Sequence, residues 1–250
     1  FIILVSDPFI IIAIFIAFAL GGILKGATGA GAPIVTIPVM AAFYDVRIAV
    51  IIMVIPNLLT NIGQLYQFRK TILPRFFTIS FALGGGIGAF LGTILLVNLP
   101  IKILTLSVAC IVIIYILLKL IVPSWKLNYI KAKKLVFLMG TGGGILQGSA
   151  GLSAPISITF LNSMKLERNQ FIPTISVYFG VMSIFQMPTL YYYDFLNLEI
   201  IIMSCISTIV LMAFMPFGSW IAKSVSKDSF DKITLILLGF IALRIIYLNF

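Results

Sequence analysis

Six times along this chain an apolar run of membrane-crossing length is bounded by charged or turn residues, and no other feature restricts the fold so severely. The runs cover about residues 48–66, 76–97, 101–122, 170–190, 199–221 and 233–249, each close to the roughly 17–25 residues that a bilayer core requires of a helix. In hydrocarbon every backbone N–H and C=O must be satisfied within the protein, so a spanning segment is either a helix or a strand of a closed barrel. A barrel strand would alternate apolar and polar residues, and these runs do not. Hydrophobic residues make up 61% of the chain and charged ones 10%, against about 45–50% and 25% in soluble domains. The chain is therefore expected to be an all-α integral membrane protein, and a soluble enzyme is excluded.

Several chemistries drop out with it. Histidine is absent, and Cys110 and Cys205 sit inside apolar runs without CxxC spacing. A zinc or haem site, a Ser-His or Cys-His nucleophile, and enzyme function generally are not expected, and neither is a cofactor. Residues 1–24 lack a basic n-region and an A-x-A site, so they are not read as a signal peptide. The net charge of +10 belongs to loops rather than to a nucleic-acid surface, because polytopic proteins keep Lys and Arg on the cytoplasmic side.

That rule also settles how two remaining stretches, about 9–43 and 135–163, cross the membrane. Each is an apolar segment, a glycine-rich break and a shorter apolar segment. If each is a hairpin that returns to its side of entry, thirteen basic residues share one face (Arg69 to Arg75, Lys119 to Lys134, Lys165 and Arg168, Lys223 to Lys232). Two, Arg47 and Lys102, lie opposite. If each stretch crossed once, the basic residues would divide almost evenly. Hairpins are expected, with both termini outside.

The two broken stretches are copies. Residues 21–34 match residues 143–156 at a constant offset of 122, with nine identities in fourteen positions. Asp45 pairs with Glu167 and Gln64 with Gln186 at the same offset, and Leu91-Gly92 parallels Phe217-Gly218. The expected organisation is a first membrane repeat over 1–122, a basic cytoplasmic linker over 123–134 and a second repeat over 135–250. A hairpin plus three crossings makes each half odd, so the second half is expected upside down. Transporters use such inverted repeats, with the substrate near the midplane at the repeat interface.

The glycine motifs carry the expected chemistry. Gly26, Gly29, Gly31 and Pro33 in the first half, and Gly148, Gly151 and Pro155 in the second, cannot continue a helix, so backbone groups are freed at the break. N–H groups converging at the start of the following half-helix would form an anion nest; Pro33 and Pro155 would hold that turn. Lys25 inside the first hairpin has no Asp or Glu within any apolar run to pair with, and an anionic substrate would fill that role. Gln147 holds the matching place. Thr28, Ser149 and Ser153 in the motifs, Asn57, Asn61 and Gln64 on one helical face, and Gln186 in the second half are further candidate donors. Thr60, Ser176 and Ser183 lie on the same faces, with Tyr178 on another side.

Gly84, Gly88 and Gly92 at four-residue spacing let another helix approach closely, within the protein or between the protomers of a homodimer. Tyr129, Tyr191, Tyr192, Tyr193, Trp125 and Trp220 fall near the ends of runs and read as an interfacial belt. No carboxylate is available for proton or sodium coupling. An anion exporter would not need one, since outward movement of one negative charge gains about 2.3 kcal/mol per 100 mV.

The paired motifs G-G-x-x-x-G-x-x-G-x-G-x-P and G-G-x-x-x-G-x-x-G-x-S-x-P, each near the start of one half, resemble those of the TauE/SafE sulfite exporter family, also described as the toluenesulfonate uptake permease family. The resemblance covers nearly the whole chain. It maps onto Gly22, Gly26, Gly29, Gly31 and Pro33, and onto Gly144, Gly148, Gly151 and Pro155. Lys25 and Ser153 stand near places where members often carry glycine or another small residue. The resemblance implies a multi-pass inner-membrane transporter, most simply an exporter, of a small sulfur-containing anion such as sulfite, a sulfonate or thiosulfate. An anion channel and a non-transporting scaffold subunit are the alternatives.

Overall fold

A computed structural model describes residues 8–121 and 126–224, and in these every regular element is helical. In chain order they are α1 (Pro8–Thr28), α2 (Ala32–Ala41), α3 (Val46–Phe68), α4 (Arg75–Asn98), α5 (Ile101–Ile121), α6 (Tyr129–Ala150), α7 (Ser157–Ser163), α8 (Arg168–Tyr192) and α9 (Leu198–Ser224). Helices α1, α3, α4, α5, α8 and α9 are long and apolar enough to cross a membrane. The run expected at 233–249, Trp125 and the basic residues Lys227 and Lys232 lie outside the described residues.

Both breaks fall where the glycines predict them. Gly29 and Gly31 take φ of 83° and 104°, and Gly151 takes 69°, a left-handed backbone that favours glycine. Gly29 N–H donates to Lys25 O (2.7 Å), and Gly151 N–H donates to Gln147 O (2.8 Å), so the two long arms end the same way. The return arms are short: α2 is about 15 Å and α7 about 10 Å long at 1.5 Å per residue. Each hairpin nevertheless comes back to where it began. Phe9 packs edge-on against Phe43, and Leu127 N–H donates to Ser163 O (2.9 Å).

The second hairpin starts earlier than its hydropathy suggests. Asn128 accepts from the N–H groups of Ile130 and Lys131, a cap that starts α6 at Tyr129 and carries Lys131, Lys133 and Lys134 in its first turns. Residues 129–134 are thus helix rather than linker. Asp45 caps α3 in the same manner through Arg47 N–H, while Glu167, one methylene longer, makes no such bond at α8.

The glycine stripe of α4 meets a partner within the chain. A Cβ on Gly84, Gly88 or Gly92 would lie 2.2–2.5 Å from the carbonyl oxygens of Phe137, Thr141 and Ile145 on α6. Reciprocally, a Cβ on Gly140, Gly144 or Gly148 would strike those of Phe81, Gly85 and Ala89. Residue numbers rise together on both helices, so α4 and α6 run parallel with their backbones in contact. The same geometry recurs between α1 and α9, where Gly22 faces Leu211 O, Gly26 faces Met215 O, and Gly218 faces Ile23 O. Away from the stripe α4 presents Phe76, Ile79, Leu83, Ile87 and Phe90 outward, as a lipid-facing surface requires.

Helices α3 and α8 cross at the centre in the opposite sense. Thr71, just beyond α3, donates to Asn169 O, Ser176 pairs with Gln64, and Asn57 pairs with Ser183. As numbers fall on α3 they rise on α8, so the two are antiparallel.

Candidate functional site

Pro56 sits inside α3 and cannot donate to the preceding turn, and polar side chains gather just after it. Thr60 donates to Pro56 O (2.6 Å). Asn61 Nδ2 donates to Asn57 O (2.6 Å) and Oδ1 (2.9 Å). This local bonding fixes the Asn61 amide with its oxygen turned outward, and Lys25 Nζ donates to that oxygen at 3.0 Å. Lys25 is 1% exposed, and the Phe179 ring lies 5.8 Å from Nζ. Among the described residues the partners of this ammonium are neutral groups. Six of the seven acidic residues of the chain fall outside the apolar runs, and the seventh, Glu199, stands at the very start of one.

Beside the lysine a cavity of about 420 Å³ lies between α1, α3, α8 and α9. Gln67, Arg168 and Trp220 line its exposed part, and Thr60 and Gln64, both buried, line its inner part. Donors around this cavity reach the last carbonyls of α1: Lys25 O, which already accepts from Gly29 N–H, and Gly26 O. Gln64 Nε2 reaches Lys25 O (3.3 Å), Arg168 Nη2 reaches Gly26 O (2.8 Å), and Ser219 Oγ reaches the same oxygen (3.0 Å). Arg168 and Lys25 thereby place two basic side chains at the negative end of the α1 dipole.

Lys25, Asn57, Asn61 and Gln64 are brought together, with Ser176 and Ser183 across from them on α8. The other predicted residues are placed differently. Gly26 lines the cavity through its backbone, yet its missing Cβ is what lets α9 approach; Gly148 does the same for α4. At Gly29 a Cβ would lie 2.4 Å from Ile172, and at Gly151 one would lie 2.1 Å from Ile37. Each break is therefore packed against an apolar side chain at the start of α8 or of the α2–α3 region.

The two tips do not meet near the midplane. Ile172 stands at the first turn of α8, whereas Gly151 also touches Val50, which the antiparallel register puts level with Leu190. About eighteen residues of α8, roughly 27 Å of helix, separate the two levels.

Thr28 turns its hydroxyl onto Leu24 O (2.8 Å) and Ala30 O, closing the first break. Ser149 bonds Ile145 O (2.8 Å), and Ser153 packs its hydroxyl 2.8 Å from that of Ser157. Pro33 is the second residue of α2, one place inside the start expected for it, and Pro155 precedes α7 in a turn in which Ser153 O accepts from Ile156 and Ser157 N–H. Gly31 and Pro33 do not line the cavity. Sequence reasoning assigned Arg168 to the loop charges and left Gln67 and Ser219 unremarked. A signal for Arg168 was present, since it directly begins the polar-faced helix α8.

Gln147 and Gln186 are buried without complete partners. Gln147 Oε1, Gln186 Nε2 and Thr189 Oγ1 have no hydrogen-bond partner among the described residues, and each such orphan costs on the order of 1–3 kcal/mol. Tyr178 lies on the far side of α8, as its spacing predicts. It stacks on Phe81 at 3.9 Å and donates to Gly140 O at 2.9 Å.

A profile of the family described as Sulfite exporter TauE/SafE matches residues 14–245, nearly the whole chain and both glycine motifs. The chain belongs to the sulfite exporter TauE/SafE family. No curated protein and no solved structure matches it. TauE/SafE proteins are transporters and not enzymes, so this chain is a multi-pass membrane protein of a family that moves sulfur anions. The resemblance read from the two glycine motifs is thereby borne out.

Proposed function

We propose that this TauE/SafE protein is a carrier of a small sulfur-containing anion, most simply an exporter of sulfite, thiosulfate or a sulfonate across the inner membrane. The observation that carries the reading is Lys25, buried with neutral partners among the described residues, beside an open cavity that bears Arg168. A buried cation without a carboxylate is stabilised when an anion arrives, and desolvated walls strengthen that attraction. Gln64, Gln67 and Ser219 supply neutral donors, which suit an oxyanion whose charge is spread over several oxygens. The backbone nest expected from the motifs is replaced in this reading by side chains.

The two halves are read as inverted-topology repeats, and three observations support it. The hairpins return to their own sides, α3 and α8 run antiparallel, and the α1/α9 contact repeats that of α6 and α4. A carrier fits better than a channel because the polar groups beyond Asn57 are buried. The face with the basic loops is assigned to the cytoplasm, so the cavity opens inward. With no carboxylate for coupling, the membrane potential drives the anion out. Homodimer formation remains compatible with the exposed face of α4.

The test is binding of sulfite, thiosulfate and sulfoacetate, with chloride as control, to the purified full chain. One sulfur anion should bind saturably, and Lys25→Ala should weaken it at least about tenfold, or 1.4 kcal/mol. Binding unchanged by that substitution would remove the lysine from the site; absence of binding by all three would overturn the substrate class.

A further inference from the structure

The orphaned atoms of Gln147, Gln186 and Thr189 are not scattered. At the offset of 122 these residues match Lys25, Gln64 and Gln67, the lysine beside the open cavity and two glutamines that line it. Their environments differ in a regular way. Gln67 is exposed where Thr189 is buried. Gly63 lines the cavity with nothing within 4 Å of a Cβ placed on it, whereas the matching Phe185 packs its ring where a Cβ on Gly86 would lie 2.9 Å away. One end of the α3/α8 seam is thus open and polar, and the other carries polar groups but is filled. Because α3 and α8 are antiparallel, the two sets lie at opposite ends of the seam.

We infer that Gln147, Gln186 and Thr189 form a second anion-facing vestibule at the face opposite the basic loops, closed in this conformation and opened when the cavity at Gln64 closes. The inference rests on the carrier reading above. A buried amide or hydroxyl without a partner is retained at a cost unless another state satisfies it, and all three orphans fall at matching positions of one site. Gln186 offers a donor and Thr189 a hydroxyl. A half-turn of the Gln147 amide exchanges its acceptor for a donor. Gln147 stands where the first half has Lys25, and Arg47 at this end of α3 is tied to Leu96 O and Leu99 O, so the second vestibule holds an anion by neutral donors in place of the lysine and more weakly. That inequality suits release on the far side.

Single cysteines at Thr189 and, separately, Gln147 and Gln67 would be placed in a chain carrying Cys110→Ser and Cys205→Ser, the two exposed native thiols. Each is then labelled from either face with a membrane-impermeant cationic methanethiosulfonate. The shift is driven without substrate by Gly63→Phe, which fills the open cavity as Phe185 fills the matching place. Thr189→Cys and Gln147→Cys should label at least about fivefold faster from the face opposite the basic loops, and Gln67→Cys correspondingly slower from its own. Rates at both second-half cysteines that ignore Gly63→Phe and saturating sulfoacetate, which unlike sulfite and thiosulfate does not consume the thiosulfonate reagent, in protein that stays monodisperse, would overturn the vestibule. If Gly63→Phe shifts the rates while sulfoacetate leaves them unchanged and neither sulfite nor thiosulfate binds in the assay above, the vestibule stands and the sulfur-anion reading falls. Two reporters on different helices keep the result decisive if one variant fails to fold.

Discussion

Two helix pairs that look alike in hydropathy are built for opposite purposes. Between α4 and α6 the glycines bring backbone onto backbone, and a single added methyl group would overlap a carbonyl oxygen at 2.2–2.5 Å. Between α3 and α8 the contacts are long hydrogen bonds of 3.4 and 3.5 Å between side chains. The first kind of interface has one register. The second can exchange partners with water or a ligand at small cost, because each of its bonds is weak and polar. The glycine pairs, α4 with α6 and α1 with α9, each join helices from different halves, so under the carrier reading proposed above each cross-pair is expected to move as a unit, with the α3/α8 seam as the place that yields.

The sharpest way to break this contrast is to enlarge a glycine on the rigid side. Gly144→Leu drives a branched side chain into Gly85 O, 2.2 Å from where its Cβ would begin. Overpacking of this kind costs about 1–3 kcal/mol when neighbours can yield, and two touching backbones cannot. The expected result is loss of monodisperse protein on size exclusion. A well-folded Gly144→Leu protein would show that the α4/α6 contact is looser than its geometry.

Next in size is the seam itself. Lys25→Met replaces the side chain with an apolar one a single atom shorter and removes the cation, so thermal stability in detergent should hold or rise while anion binding falls at least about tenfold. A fall in stability with binding intact would make the lysine a structural donor to Asn61. Tyr178→Phe follows, on the rigid side. It removes the bond to Gly140 O but keeps the stacking on Phe81, and should cost about 1 kcal/mol by unfolding in detergent with no effect on binding.

These pairs also explain what the sequence discloses. The breaks at Gly29–Gly31 and Gly151, the helices within 46–121 and 168–224, and the repeat were legible, because bilayer length and glycine backbone freedom act locally. The glycine stripe of α4 was legible as a close approach, but its partner was not, since spacing names a surface and not the helix that meets it. The same ambiguity affected Gly26 and Gly148. A glycine at a membrane bend and a glycine under a crossing helix carry the same letter, and only the carbonyls of Met215 and Ala89 distinguish them. Lys25, Asn57, Asn61 and Gln64 were found together because an isolated cation and a polar helix face each need partners. Arg168 was overlooked because charge counting assigns a loop cation to topology. Its reach to Gly26 O depends on how α8 meets α1, a contact between residues 142 positions apart.

The smallest expected effect comes from making one substitution on both sides. Gly63→Ala adds a methyl group at a point with nothing within 4 Å, so it meets no neighbour and gains only the backbone preference of alanine over glycine in a helix. That gain is about 0.5–1 kcal/mol. Gly84→Ala gains the same preference but places its Cβ 2.5 Å from Phe137 O, so its net effect should be destabilising. Thermal unfolding of the two variants in one detergent separates space from propensity, since propensity is common to both. Opposite signs place the difference in the interfaces. If both variants gain stability, the α4/α6 pair can part by a few tenths of an ångström, and the rigid cross-pair is softer than the seam it is meant to frame.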